Sequence, residues 1–425
     1  MLERQKNANF APLFTLKVTM QYFSHTLSNG LRMIHLPVVS PVAYCGFAIN
    51  TGSRDEKPNE HGHAHFVEHL LFKGTRKRKA RHILNRMEHV GGELNAYTSK
   101  EETFVYSIFM TKDFERAVEL ITDLITNAQF PEAEIEKERD VILDEILSYR
   151  DNPSELIFDE FENLLYDGHP LGHDILGNKR SLKTFESATG QAFIRRHYTA
   201  GNMVFFSMGD VKFNDIIRLA GKYFSEIPNV AYPSSREKPQ LTQPRLLVKK
   251  KKTHQTHVLI GGQAADMHDE RRIPLFLLNN ILGGPGMNSR LNVSLREKHG
   301  LVYNVESNIT SYTDTGLCSI YYGTDPKNKE LVSQLVNREL ALLCKNRLSD
   351  LQLSKAKKQV FGQMVLSHEN REGLFLGLGK SFLHHNRYET LPEIFQKIDR
   401  VTPQQILESA NEVFAPDSLF RLVFE

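Results

Sequence analysis

The sequence predicts an α+β fold of two homologous domains, each a mostly antiparallel sheet with helices packed on one face. Three observations predict it. A strand followed by an amphipathic helix occurs twice, as FVYSIFMTKDFERAVELITDLI (104–125) and GLCSIYYGTDPKNKELVSQLV (316–336), with Ser107, Ile108 and Asp113 matching Ser319, Ile320 and Asp325 at one constant offset. A second long helix follows each copy, PEAEIEKERDVILDEILSYR (131–150) and SDLQLSKAKKQVFGQMVLSH (349–368). Between the halves lies PNVAYPSSREKPQLTQP (228–244), whose four prolines and lack of an apolar period read as an extended linker.

The remaining elements fit this frame. LRMIHLPV and AYCGFAINTG are rich in β-branched and aromatic residues and read as early strands of the first half, and NMVFFSMGD (202–210) as its closing strand. SLFRLVFE (418–425) closes the second half. Strands and helices are partly segregated along the chain, which favours antiparallel pairing over a strictly alternating parallel design. The expected domains are residues 1–227 and 245–425, and 425 residues suffice for two cores of ordinary size.

Charge excludes some partners. With 53 basic and 51 acidic side chains the formal net charge is +2, too little to hold nucleic acid or an anionic membrane, so neither is expected. The basic run VKKKKTH (248–254) reads as a solvated strand or linker edge. Cys45, Cys318 and Cys344 are far apart and form no C-x-x-C pattern, so neither a disulfide framework nor cysteine ligation of a metal is expected. The first twenty residues lack the continuous apolar run of a signal peptide, and no stretch approaches the 18 or so apolar residues of a membrane span. A cytoplasmic location is the simplest expectation, ahead of the mitochondrial matrix.

Chemistry concentrates in HGHAHFVEHLLFKGT (61–75). If His61–Leu71 is a helix, Glu68 lies roughly 60° to one side of His65 and His69 roughly 40° to the other, so the three share a face. Imidazoles at i and i+4 can hold one zinc ion, with the adjacent carboxylate as proton acceptor. The order H-x-x-E-H is the reverse of the more familiar H-E-x-x-H. A histidine-rich surface helix would show the same five letters. A catalytic zinc also needs a third protein ligand. In EKERDVILDEILSYRDNP, Glu138 and Glu145 stand two turns apart on nearly one face, with Val141, Ile142 and Ile146 expected to pack. Spacing alone does not choose between the two glutamates.

Four ordered motifs carry a resemblance over nearly the whole chain: HFVEHLLFKGT (65–75), GGELNAYTSKEETFVY (91–106), ERDVILDE (138–145) and SRLNVSLREKHGLVY (289–303). In these the chain resembles the pitrilysin-like, insulinase-type (M16) zinc metallopeptidases, particularly the short two-domain branch that includes the mitochondrial processing peptidase subunits. The resemblance implies one zinc per chain, with His65, His69 and Glu145 as ligands and Glu68 as the general base that activates the zinc-bound water. It implies that Glu138 orients a ligand histidine, and leaves His61 and His63 to helix-start or surface roles. It places an extended peptide substrate along Asn95 and Ala96. It implies that Arg296 and Tyr303 reach the active site of a facing chain and help to stabilise the oxyanion. The glycine-rich GGPGMNS (283–289) lacks the ending of a phosphate-binding P-loop.

The activity implied by the resemblance is that of an endopeptidase cutting unstructured peptides inside a clamshell, of which this chain supplies one half. Its partner would be a second copy or a related chain. A peptidase dedicated to one precursor, and a non-catalytic subunit of a heteromeric peptidase, are the alternatives.

Overall fold

The computed structural model describes residues 21–425 except 231–235 and 241. The amino-terminal segment, where no signal peptide is expected, and those six positions of the 228–244 linker lie outside the described residues. One sheet contains β1 (Phe23–Thr26), β2 (Arg32–Pro37), β3 (Val42–Ile49), β4 (Glu93–Thr98), β5 (Thr103–Met110) and β6 (Met203–Gly209), in the spatial order β1-β2-β6-β3-β5-β4. The other contains β7 (Leu246–Lys249), β8 (Thr256–Ala264), β9 (Val302–Ser311), β10 (Gly316–Thr324) and β11 (Phe420–Phe424), in the order β7-β11-β8-β10-β9. Without β1 the two orders coincide. In each sheet the closing strand is inserted parallel to one neighbour and antiparallel to the other, β6 between β2 and β3, β11 between β7 and β8. The remaining pairings are antiparallel, as the segregated pattern predicts.

The first half carries α1 (His63–Leu71), α2 (Ala80–Glu88), α3 (Phe114–Asn127), α4 (Glu132–Arg150), α5 (Pro153–Leu165), α6 (Lys179–Leu182), α7 (Ser187–His197) and α8 (Phe213–Tyr223). The second carries α9 (Arg272–Gly283), α10 (Lys329–Lys345), α11 (Asp350–Ser367), α12 (Arg371–His385), α13 (Leu391–Asp399) and α14 (Pro403–Val413). Apolar residues of α1–α4 and α6–α8 pack on one face of the first sheet. Those of α9–α11, α13 and α14 do the same on the second. To this the structure adds a layer that the one-face expectation did not contain. Phe375, Leu378 and Phe382 of α12 cover the opposite face of the first sheet, where Phe375 stacks on Phe206 with ring centroids 4.3 Å apart. Leu156, Ile157, Phe161 and Leu164 of α5 cover the opposite face of the second sheet, against Leu259, Leu317 and Leu422. Burial on both faces explains why VAYCGFAI of β3 and TFVYSIFM of β5 are near-continuous apolar runs instead of alternating ones.

The described part of the linker has neither helix nor strand and is tied to the first half. The Arg236 guanidinium pairs with Asp55 at 2.8–2.9 Å and donates to the Glu101 carbonyl at 2.8 Å. The halves also meet through Arg54, whose guanidinium lies 2.7 Å from Glu101 and 2.6–2.7 Å from Asp314.

Two predictions come from this packing. Because Phe375 is fully buried in the layer between the halves, Phe375→Ala should lower the unfolding free energy by about 3–5 kcal/mol in urea titration, the usual cost of a buried phenylalanine truncation. The second concerns acid. Burial pushes the imidazoles of His35 and His63 down to about 4, and burial followed by Arg196 pushes His197 to about 3. His197 Nε2 accepts from Arg196 Nε at 2.9 Å and so must be deprotonated. Folded pKa values lie below the unfolded value, so the unfolded chain binds more protons once pH falls below about 6.5. Stability should therefore be full above that pH and decline below it, by up to about 2 kcal/mol per histidine between pH 7 and 5. Urea titrations of the metal-free chain at the two pH values check this.

Candidate metal centre

The centre is built on α1. A carboxylate starts this helix: Glu56 accepts from the Gly62 amide at 3.0 Å and the Ala64 amide at 2.8 Å, satisfying amides that a helix start leaves without partners. Gly62 sits at φ +88°, and a Cβ there would come within 2.8 Å of the Leu176 carbonyl, so only glycine fits. The helix consequently begins at His63, two residues later than the sequence suggested. Phe66, Val67, Leu70 and Leu71 anchor it in the core. That leaves His65, Glu68 and His69 on the other side, as their spacing requires.

Helix α4 passes alongside, held by buried Ile135, Ile142 and Ile146. Val141, expected to pack with them, is instead 49% exposed, because it falls on the outer side of the helix. Glu145 projects from α4 towards the histidines. Its Oε2 lies 3.8 Å from both His65 Nε2 and His69 Nε2, and one donor atom from each of the three residues lies within 4.8 Å of the others. Of the two glutamates that spacing leaves open, it is Glu145 that lies beside both Nε2 atoms. Glu138 stands behind His69, accepting from Nδ1 at 3.0 Å, while its other oxygen meets Lys73 Nζ at 2.7 Å. With Nδ1 donating, the His69 Nε2 lone pair faces Glu145. Burial, helped by the neighbouring His69, pushes His65 down to about 3, so this imidazole is neutral at ordinary pH and its lone pair is free to ligate.

Glu68 lies beside this set. Burial raises its carboxyl above the usual range, with the Glu145 charge adding to the rise, while the Thr98 hydroxyl and His69 oppose it. Thr98 donates to Glu68 Oε2 at 2.7 Å. Thr98 ends β4, the edge strand of its sheet, so Asn95 and Ala96 lie on that edge within three residues of the Thr98 that holds Glu68; they pair with Tyr106 and Val105 on the inner side. A cavity of about 270 Å³ opens beside the centre, lined by His65, Thr98, Glu145, Tyr149, Asp159 and Asp174, among others.

The other sequence candidates fall elsewhere. Arg296 lies in a π-helical turn (Asn292–Glu297) and Tyr303 near the start of β9, with Gly300 between them at φ +59° closing the turn. Both line a groove made by the second half alone, shared with the 283–289 glycine loop, and none of the α1 or α4 residues lines it. Tyr303 is 84% exposed. Within one chain the structure therefore does not bring this pair to the histidines. His63 is the first residue of α1, in keeping with the helix-start role, but it is buried against Phe185 and not at the surface, because it falls on the core side of the first helical turn. His61 stacks on His173 with centroids 3.9 Å apart. Sequence reasoning missed Glu56 and Thr98 as supports. A carboxylate ahead of the helix was a readable signal, but the loop between Glu56 and Gly62 hid which amides it would meet.

Comparison with known proteins fits this geometry. Residues 37–179 match the family profile Insulinase (Peptidase family M16), and residues 190–360 match the Peptidase M16 inactive domain. The uncharacterized zinc protease YmxG of Bacillus subtilis is 32% identical over 94% of this chain and 97% of its own length. The chain belongs to the M16 family. An uncharacterized zinc protease of Mycobacterium leprae is 33% identical over 91% of this chain and 88% of its own. The crystal structure of a protease from Helicobacter pylori superimposes with a TM-score of 0.89 at 24% identity, covering 95% of this chain and 99% of that one. The peptidase M16 inactive domain structure from Pseudomonas fluorescens gives 0.87 at 22% identity, with coverages of 95% and 97%. Both share this two-sheet fold. No helix among the described residues is long and apolar enough to cross a membrane.

If Glu138 fixes His69 for ligation, Glu138→Gln should weaken zinc binding about 10- to 100-fold in chelator competition, the usual cost of losing such a support. Glu145→Gln should weaken it further, since it removes a proposed ligand.

Proposed function

We propose that this M16 chain is a zinc-dependent endopeptidase that cuts unstructured peptides. The observation that carries the reading is the convergence of His65, His69 and Glu145 beside the Glu68 carboxylate. The donor set fits zinc: two imidazoles and one carboxylate leave a fourth position open, as catalytic sites require. Their 3.8 Å Nε2–Oε2 separations are close to the roughly 3.4 Å between ligands of a tetrahedral zinc site. When bound, zinc supplies Lewis acidity toward a peptide carbonyl and lowers the pKa of water to near neutrality.

The chain's own residues supply the rest. Glu68, its carboxyl raised by burial, takes the proton of the attacking water and returns it to the leaving amine, a role suited to a carboxylate whose proton affinity is raised. Thr98 fixes which oxygen of Glu68 is free to do so. The open edge of β4 receives the substrate backbone as an added strand, aligning it by main-chain hydrogen bonds largely regardless of side chain. An added strand must arrive extended and with its backbone unpaired, so unstructured peptides are the class this geometry favours.

Arg296 and Tyr303 act in trans in this reading. Their exposure, and their separation from this chain's own histidines, suit a dimer in which each chain lends the pair to its partner's centre. Two related chains closing face to face would form the clamshell.

Glu68→Gln should retain about one zinc per chain while losing cleavage of a quenched unstructured-peptide mixture by 10²-fold or more. Zinc retained with equal cleavage in both proteins would remove Glu68 from the reaction. Mixing inactive Glu68→Gln with inactive Arg296→Ala chains should restore part of the activity. No recovery after subunit exchange would rule out catalysis in trans.

A further inference from the structure

The turn joining β4 to β5, Ser99-Lys100-Glu101-Glu102, is an unusual hairpin tip. A polar, charged tip is expected in water, yet Lys100, Glu101 and Glu102 are 5%, 2% and 3% exposed. Buried charges persist only when paired and hydrogen-bonded, and here many of the partners come from the second half. Glu101 accepts from the Thr313 amide at 2.9 Å and the Thr313 hydroxyl at 2.7 Å, and meets Arg54, which Asp314 also holds. Glu102 accepts from His384 Nε2 at 2.7 Å, from Lys380 at 3.0 Å and from the Ser99 hydroxyl at 2.7 Å. Lys100 donates to the His173 carbonyl and pairs with Glu162, which in turn accepts from Tyr312 of the second half at 2.6 Å. The next residue back along the chain is Thr98, whose hydroxyl holds Glu68.

We infer that Glu101 and Glu102 are positioning residues for Glu68, so that the second half of the chain, through this hairpin tip and Thr98, sets where the Glu68 carboxylate and the β4 edge lie relative to α1. The inference rests on the peptidase reading for its kinetic consequence but not for its structural one. Neither glutamate touches substrate or metal. Each acts by clamping the strand that carries Thr98 on its last residue.

The test uses the full-length chain with substitutions in the anchors, Asp314→Asn and Thr313→Val, leaving the tip itself intact. Amide hydrogen exchange on the metal-free proteins should show residues 93–103 exchanging about tenfold faster, the effect of one lost hydrogen bond of ordinary strength, with α1 protected as in wild type. Loaded with zinc, both variants should hold wild-type zinc and lose about tenfold in kcat on the unstructured-peptide mixture, with KM within about twofold. Thr98→Val should reproduce the kcat loss, and Thr98→Ser, which keeps the hydroxyl, should restore it. Unchanged exchange in the hairpin overturns the inference, as does a fall of kcat only in proportion to zinc content, or a Thr98→Ser variant as impaired as Thr98→Val. If Asp314→Asn does not fold, Thr313→Val, which removes a single hydroxyl, decides the question. If wild type cuts no peptide, the peptidase reading fails while the exchange result still decides whether the second half clamps the hairpin.

Discussion

Each sheet has two apolar faces, and each half of the chain has helices enough for only one of them. The rest of the architecture depends on how that is resolved. The halves exchange a helix: α5 leaves the first half to cover the second sheet, and α12 leaves the second to cover the first. Large aromatic side chains dominate the borrowed layer over the first sheet, so the union of the halves is a core and not a surface contact. Helix α4, which carries Glu138 and Glu145, runs almost directly into α5. The cluster of His65, His69 and Glu145 is thereby fastened at one end to its own sheet and at the other to the neighbouring one.

Burial governs the chemistry as much as the fold. It keeps His65 neutral and raises the Glu68 carboxyl, two shifts in opposite directions from one cause, because the charged form is the one penalised in each case. Glu138 escapes isolation by meeting both His69 and Lys73. On the α1 side the cluster is buried and held by a few fixed polar contacts, so position sets how readily each group carries charge.

Much of this was legible in the sequence, for physical reasons that vary by residue. The helical period places His65, Glu68 and His69 together whatever surrounds them, so local spacing sufficed. The duplicated order of elements pointed to two sheets of like topology. Glu145 stands on a different element, and its meeting with the histidines is set by how α4 packs on α1, which no spacing encodes. Val141 was misjudged because an apolar residue on a helix does not announce which side the core is on. The burial of Glu101 and Glu102 had no local signal at all, since Ser-Lys-Glu-Glu is ordinary hairpin composition and only the arrival of Thr313 and His384 removes it from water. The exchange of α5 and α12 left a trace in the uninterrupted apolar runs of β3 and β5, which mark strands covered on both sides.

The reciprocal exchange also bears on how such a chain could arise. Two units of the same topology, each completing the other with the equivalent helix, have the arrangement of a domain-swapped homodimer whose protomers have been joined end to end. In that light the segment around residues 228–244 is a splice between former neighbours, and the pseudo-symmetry is a relic of their two-fold axis. Copies joined in this way would be released from identity. One would be free to keep the histidines on its first helix, and the other to carry an arginine and a tyrosine around the start of its edge strand, which two identical protomers related by symmetry could not do separately.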